Sequence, residues 1–123
     1  MPSSPTAVRT TPDPRLMAAL DELDAALAEN VTRSREIQRR VRLLHRQVGK
    51  GEALAPLVEA EDQPRTVEMI TENIDTLQGI GARLRAVQAQ ALRDEGLTIA
   101  AIADLFGVTR QRVSALLKQK AAE

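Results

Sequence analysis

One aromatic ring, Phe106, is all that this chain has for its core besides aliphatic side chains. Its 123 residues include no tryptophan, tyrosine or cysteine. A core of Leu, Ile, Val, Ala and Met suits helix-on-helix packing, where the short side chains of one helix fill the grooves of the next. It suits a β-sandwich poorly, because strands favour aromatic and β-branched residues. An all-α fold is therefore expected, as one domain or two small helical units. Without cysteine there is no disulfide, no thiolate metal site and no thiol nucleophile.

Apolar residues recur at steps of three and four along two long stretches. The first runs from about Pro14 to Val48 and carries Leu16, Leu20, Leu23, Leu27, Ile37, Val41, Leu44 and Val48, with the register continuing through Asn30 and Ser34. This is a heptad seam with two polar core positions. Asp13 suits a helix cap, Pro14 the first helical position, and Gly49-Lys50-Gly51 a stop. The second stretch restarts at Pro64 and carries Val67, Ile70, Ile74, Leu77, Gly81, Leu84, Gln88 and Ala91, with Gly79 permitting a break and Gly96 an end. Residues 52–63, with Leu54, Leu57 and Val58, read as a short helical turn. Residues 1–12 hold three prolines, five hydroxyl residues and one isolated valine. They read as a disordered tail, because so little apolar surface cannot offset the entropy of ordering.

Formal net charge is zero, but the charges are blocked. Residues 13–29 carry one basic and five acidic side chains, 33–50 seven and one, 52–75 one and seven, and 82–120 seven and three. The blocks alternate in the order that an antiparallel hairpin of the two long helices needs. Two helices cannot bury two seams by themselves, so dimerisation of residues 13–81 is expected. The expected dimer seam is Leu20, Leu23, Leu27, Ile37, Val41, Leu44, Ile70, Ile74 and Leu77.

After Gly96 the pattern changes. Thr98 suits the cap of a short helix through about Phe106, Gly107 a left-handed turn, and Thr109 the cap of a helix from Arg110 to about Lys118. Ala103 falls where two crossing helices leave no room for a larger side chain, with Gly107 four residues later and Val113 six after that. This Ala-x3-Gly-x5-Val spacing is that of a helix-turn-helix. Ile102, Ala103, Phe106, Gly107, Val108, Val113 and Leu116 are its expected framework, with Ile99 also inward. Leu84, Val87 and Leu92 are expected to supply the third wall of a trihelical unit over residues 82–120.

The segment Leu97 to Leu117 resembles the helix-turn-helix of sigma-70 region 4 and related bacterial regulators. Thr98, Ile102, Ala103, Phe106, Gly107, Val108, Thr109, Arg110, Arg112 and Val113 match that pattern, and Ala101 stands where a Glu is common. The resemblance covers about residues 84–118. It implies a recognition helix in the DNA major groove and does not specify a promoter. The remaining length lacks room for promoter-melting regions, so a standalone regulator is expected rather than a sigma factor.

Thr109, Arg110, Gln111 and Ser114 lie at the outward N-terminal end of the recognition helix, which is the end that meets base edges. Arginine pairs bidentately with guanine and glutamine with adenine. Arg93, Thr98, Arg112 and Lys118 are better placed for phosphates. The expected function is sequence-specific binding of double-stranded DNA by a homodimeric transcription regulator in the cytoplasm, at the nucleoid. Two alternatives stand beside it: a nucleoid-organising protein, and a helical adaptor for a partner such as RNA polymerase. No enzyme, metal or cofactor is expected. His45 has no second His or Cys to share a metal with, and no nucleophile marks a catalytic site. No run of apolar residues is long enough for a membrane span, and the N-terminus has no basic-then-apolar signal sequence.

Overall fold

The computed structural model describes residues 9–119, which form five helices and no strand. Residues 1–8 of the expected tail, and Lys120 of the expected C-terminal unit, lie outside them; residues 9–12 carry no regular structure.

Helix α1 spans Pro14–Gly49. Asp13 starts it, its carboxylate accepting from the backbone N–H of Arg15 at 2.9 Å and of Leu16 at 3.4 Å. The chain leaves α1 through Gly51, whose φ of +88° favours glycine. A six-residue helix, α2 (Leu54–Glu59), fills the connection. Helix α3 spans Thr66–Asp94, starting two residues after Pro64 and running unbroken through Gly79. Its end is a Schellman turn: Leu97 N–H donates to the Leu92 carbonyl at 3.1 Å and Gly96 N–H to that of Arg93 at 2.9 Å, with Gly96 at φ +100°.

Helices α1 and α3 pack against each other and run antiparallel. Arg15 meets Asp94 at 3.6 Å at one end, Arg83 donates to Glu22 further along, and Arg40 donates to the Pro64 carbonyl at 2.8 Å near the other end. Such exposed pairs contribute about 0–1 kcal/mol each and set orientation more than stability. Ala26 of α1 and Ile80 and Val87 of α3 are buried.

Of the expected seam residues, Leu23, Ile37, Leu44 and Leu77 are half-buried, while Leu20, Leu27, Val41, Ile70 and Ile74 are exposed. A single two-helix contact covers one narrow stripe per helix, and the seam is wider than that. Two polar side chains of α3 are buried, Thr66 and Asn73. The Oδ1 of Asn73 accepts no hydrogen bond. An acceptor left unpaired in this way costs about 1–3 kcal/mol.

Candidate nucleic-acid interface

The last two helices, α4 (Ile99–Phe106) and α5 (Arg110–Lys118), pack on the C-terminal half of α3. Their common core is Ala86, Ala89, Ile102, Ala103, Val113 and Leu116, flanked by Leu92, Leu97, Ile99, Phe106 and Leu117. Ile102, Val113 and Ala89 are fully buried. The alanines at 86, 89 and 103 let the three backbones approach closely. The third wall is thus Ala86 and Ala89, not Leu84 and Val87. Those two lie on the opposite side of α3, beside Ala19 and Glu22 of α1. Leu92 does flank the core as expected.

Each short helix is capped by the threonine before it. Thr98 Oγ1 accepts from the Ala101 N–H, and Thr109 Oγ1 from the Arg112 N–H, both at 3.1 Å. Between the helices Gly107 has φ +66° and ψ +35°. Its N–H donates to the Asp104 carbonyl at 3.3 Å, and that of Val108 to the Ala103 carbonyl at 3.0 Å. This turn explains a departure from the sequence reading. Val108 was expected inward, yet its side chain is 38% exposed. The turn holds Val108 by its backbone N–H, and its side chain does not join the core cluster.

The register of α5 follows from its two anchors. Val113 and Leu116 point into the core, so Thr109, Arg110, Gln111, Arg112 and Lys118 are exposed and Ser114 half-exposed. Within α5 itself there are three cations and no carboxylate. The capped first turn adds the positive end of the helix dipole. Together these form a small cationic surface whose polar side chains project from a rigid base.

Two arginines nearby have structural contacts that the periodicity did not reveal. Arg93 Nη1 donates to the Leu97 carbonyl at 2.9 Å, closing the end of α3. Arg85 lies over the Phe106 ring. Thr98 is exposed at the head of α4. Among the described residues no cluster of His, Asp or Glu could hold a metal ion, and no helix is long and apolar enough to cross a membrane. Comparison of the chain with protein-family models, with curated proteins and with solved structures finds no match.

Proposed function

We propose that this protein binds double-stranded DNA in a sequence-specific way and regulates transcription as a homodimer at the nucleoid. In this reading α4 and α5 are a helix-turn-helix, and the α1–α3 hairpin joins two copies. The observation that carries the reading is the exposure of Arg110 and Gln111 on the first turn of a helix whose other face is locked into the core. A bidentate base contact requires a side chain that starts from a fixed backbone, and Arg and Gln have the donor patterns for guanine and adenine. Arg93, Arg112, Lys118 and the first-turn amides that the caps Thr98 and Thr109 leave free would hold phosphates. No catalytic step is part of this function.

The test uses duplexes selected by the protein from a random pool, compared with scrambled duplexes. Arg110→Ala and Gln111→Ala should each lose about 1–3 kcal/mol of discrimination, with binding to scrambled DNA nearly unchanged. Equal loss on both would make them phosphate contacts and favour a nucleoid-organising role. Failure of the wild type to bind any duplex at low salt would overturn the reading. One observation favours the adaptor alternative: Leu105, 66% exposed, lies close in the chain to exposed Val108. Leu105→Lys should leave DNA affinity intact and abolish capture of RNA polymerase if that surface docks it.

A further inference from the structure

We propose that a second copy of this chain packs across one face of the α1–α3 pair, antiparallel to the first, on a two-fold axis passing through the level of Ser34 and Asn73. This rests on the homodimer reading above and assigns its face, orientation and register.

The two sides of the helix pair differ. One carries the ion pairs Glu22–Arg83 and Glu36 with Arg39 and Arg40. The other is an open groove lined by Ser34, Ile37, Gln38 and Val41 of α1 and Ile70, Asn73 and Ile74 of α3. Leu27 and Leu20 extend it at seven-residue steps from Ser34. Leu27, Val41 and Ile74 are 47%, 48% and 51% exposed, which leaves a long aliphatic stripe facing water in a single copy.

Asn73 identifies what must cover this groove. It is only 9% exposed, it lines the groove, and its Oδ1 has no donor. That oxygen is already closed off within the single copy. An occupant with a polar group at this level, beside Ser34 and Asn73, therefore fits better than a purely apolar one, and a lone buried polar residue in a helical interface fixes register.

A second copy meets that need. The heptad row Leu20, Leu27, Ser34, Val41, Val48 is symmetric about Ser34, with aliphatic residues seven and fourteen positions to either side. The row beside it changes sign at the same point, with Asp21 and Asp24 before and Arg42 after. An antiparallel copy centred on Ser34 lays α1 on α1. Leu27 then faces Val41, Arg42 of the copy comes within two residues of the level of Asp24, and Asn73 faces its own copy. A parallel copy would instead lay α1 on α3. The α3 edge there holds Val67, Thr71 and Gln78, none of which is an acid to meet Arg42.

The absence of cysteine makes the test direct. Ser34, Leu27 and Val41 are exposed in one copy, so a cysteine at each should leave wild-type helicity by circular dichroism. With a short bismaleimide and no DNA, Ser34→Cys should link to its own copy. Leu27→Cys alone should not, because fourteen residues of α-helix separate its two copies by about 21 Å. A mixture of Leu27→Cys and Val41→Cys chains should link efficiently. In an Asn73→Leu background the register should relax and Leu27→Cys should begin to link to itself; unchanged linking there would overturn the role of Asn73. Self-linking of Leu27→Cys in the native background, as efficient as in the mixture, would overturn the antiparallel arrangement and leave the dimer standing. A wild type that is monomeric by light scattering at micromolar concentration would overturn both this inference and the homodimer reading, whereas DNA binding is decided separately by the duplex titration.

Discussion

The guanidinium of Arg85 lies over the ring of Phe106, 4.4 Å from its centroid, so the protein's one aromatic side chain ties α3 to the last residue of α4. The contact is at the surface on the Arg85 side, where such pairs contribute about 0.5–1 kcal/mol. Arg85→Ala should lower stability by about that amount. Phe106→Leu should remove the same coupling, and the double variant should lose less than the two single losses added together. A urea-denaturation cycle reads this; strict additivity would mean that the two side chains do not interact.

Gly107 should be the most sensitive position in the α4–α5 turn. Its φ is +66°, and a Cβ built there meets nothing within 4 Å. The cost of Gly107→Ala is therefore one of backbone alone, about 1–2 kcal/mol. Gly107→Asn should cost less, because a short polar side chain tolerates the left-handed region. Equal melting temperatures for the two variants would show that a steric or packing effect outweighs the backbone.

The small C-terminal core should respond unevenly to truncation. Ile102 is fully buried between three helices, so Ile102→Ala should cost about 2–5 kcal/mol. In so small a unit that is enough to melt α4 and α5, and with them the proposed DNA binding. Val108→Ala, at an exposed site, should lie within about 0.5 kcal/mol of the wild type. Hydrogen exchange would locate the loss: amides of α4 and α5 should open in Ile102→Ala while those in the middle of α1 stay protected.

What could be read from the sequence was what depends on neighbours in the chain. Asp13, Thr98, Thr109, Gly96 and Gly107 each act within one turn of the backbone, and each sits where its chemistry suggests. What depends on distant partners was harder to read. Helix α3 contacts α1 on one side and α4 and α5 on the other, so its apolar residues form two stripes. Large Leu84 and Val87 drew attention to the C-terminal core, although it is small Ala86 and Ala89, three apart, that form its wall. Their stripe was present in the sequence, but alanine is a weak signal of burial. Asn73 was hidden for the opposite reason: a polar residue one place from Ile74 breaks the apolar rhythm and reads as surface. Val108 was misplaced because spacing does not tell a backbone held by a turn from a side chain held in a core.

Glu36 should titrate below the ordinary glutamate range. Hydrogen bonds from Arg39, at 2.6 Å and 3.0 Å, and then from Arg40, at 3.2 Å, hold its carboxylate ionised, against the opposing effect of desolvation. A carboxylate with a depressed folded-state pKa stabilises the fold above its unfolded pKa. That contribution is lost as pH falls through the folded value. The helical register near residues 36–40 should therefore be insensitive to pH between 7 and 5 as far as Glu36 is concerned, and should loosen only in more acidic solution. Carbon-detected titration of the Glu36 carboxyl tests this. A midpoint at or above that of an isolated glutamate would mean that the arginine fork is not formed in solution.

If α5 reads DNA as proposed, the cations assigned to phosphates should separate from those assigned to bases by their salt dependence. Each phosphate neutralised on duplex DNA contributes about 0.9 to the slope of log K against log salt. Arg112 is exposed immediately beside the anchor Val113, and Lys118 is exposed in the last turn of α5. Arg112→Ala and Lys118→Ala should each reduce the slope by about 0.9, weakening selected and scrambled duplexes alike. Arg93→Ala should do this and also lower the melting temperature, because the same side chain bonds the Leu97 carbonyl that closes α3. Arg93→Lys should restore the charge and hence the slope, but not the stability. Fluorescence anisotropy at several salt concentrations, paired with thermal melts, gives both readouts on the same samples. An unchanged slope in all three alanine variants would mean that DNA does not approach α5 from its N-terminal, outward side, and the docking geometry proposed for the recognition helix would have to be abandoned.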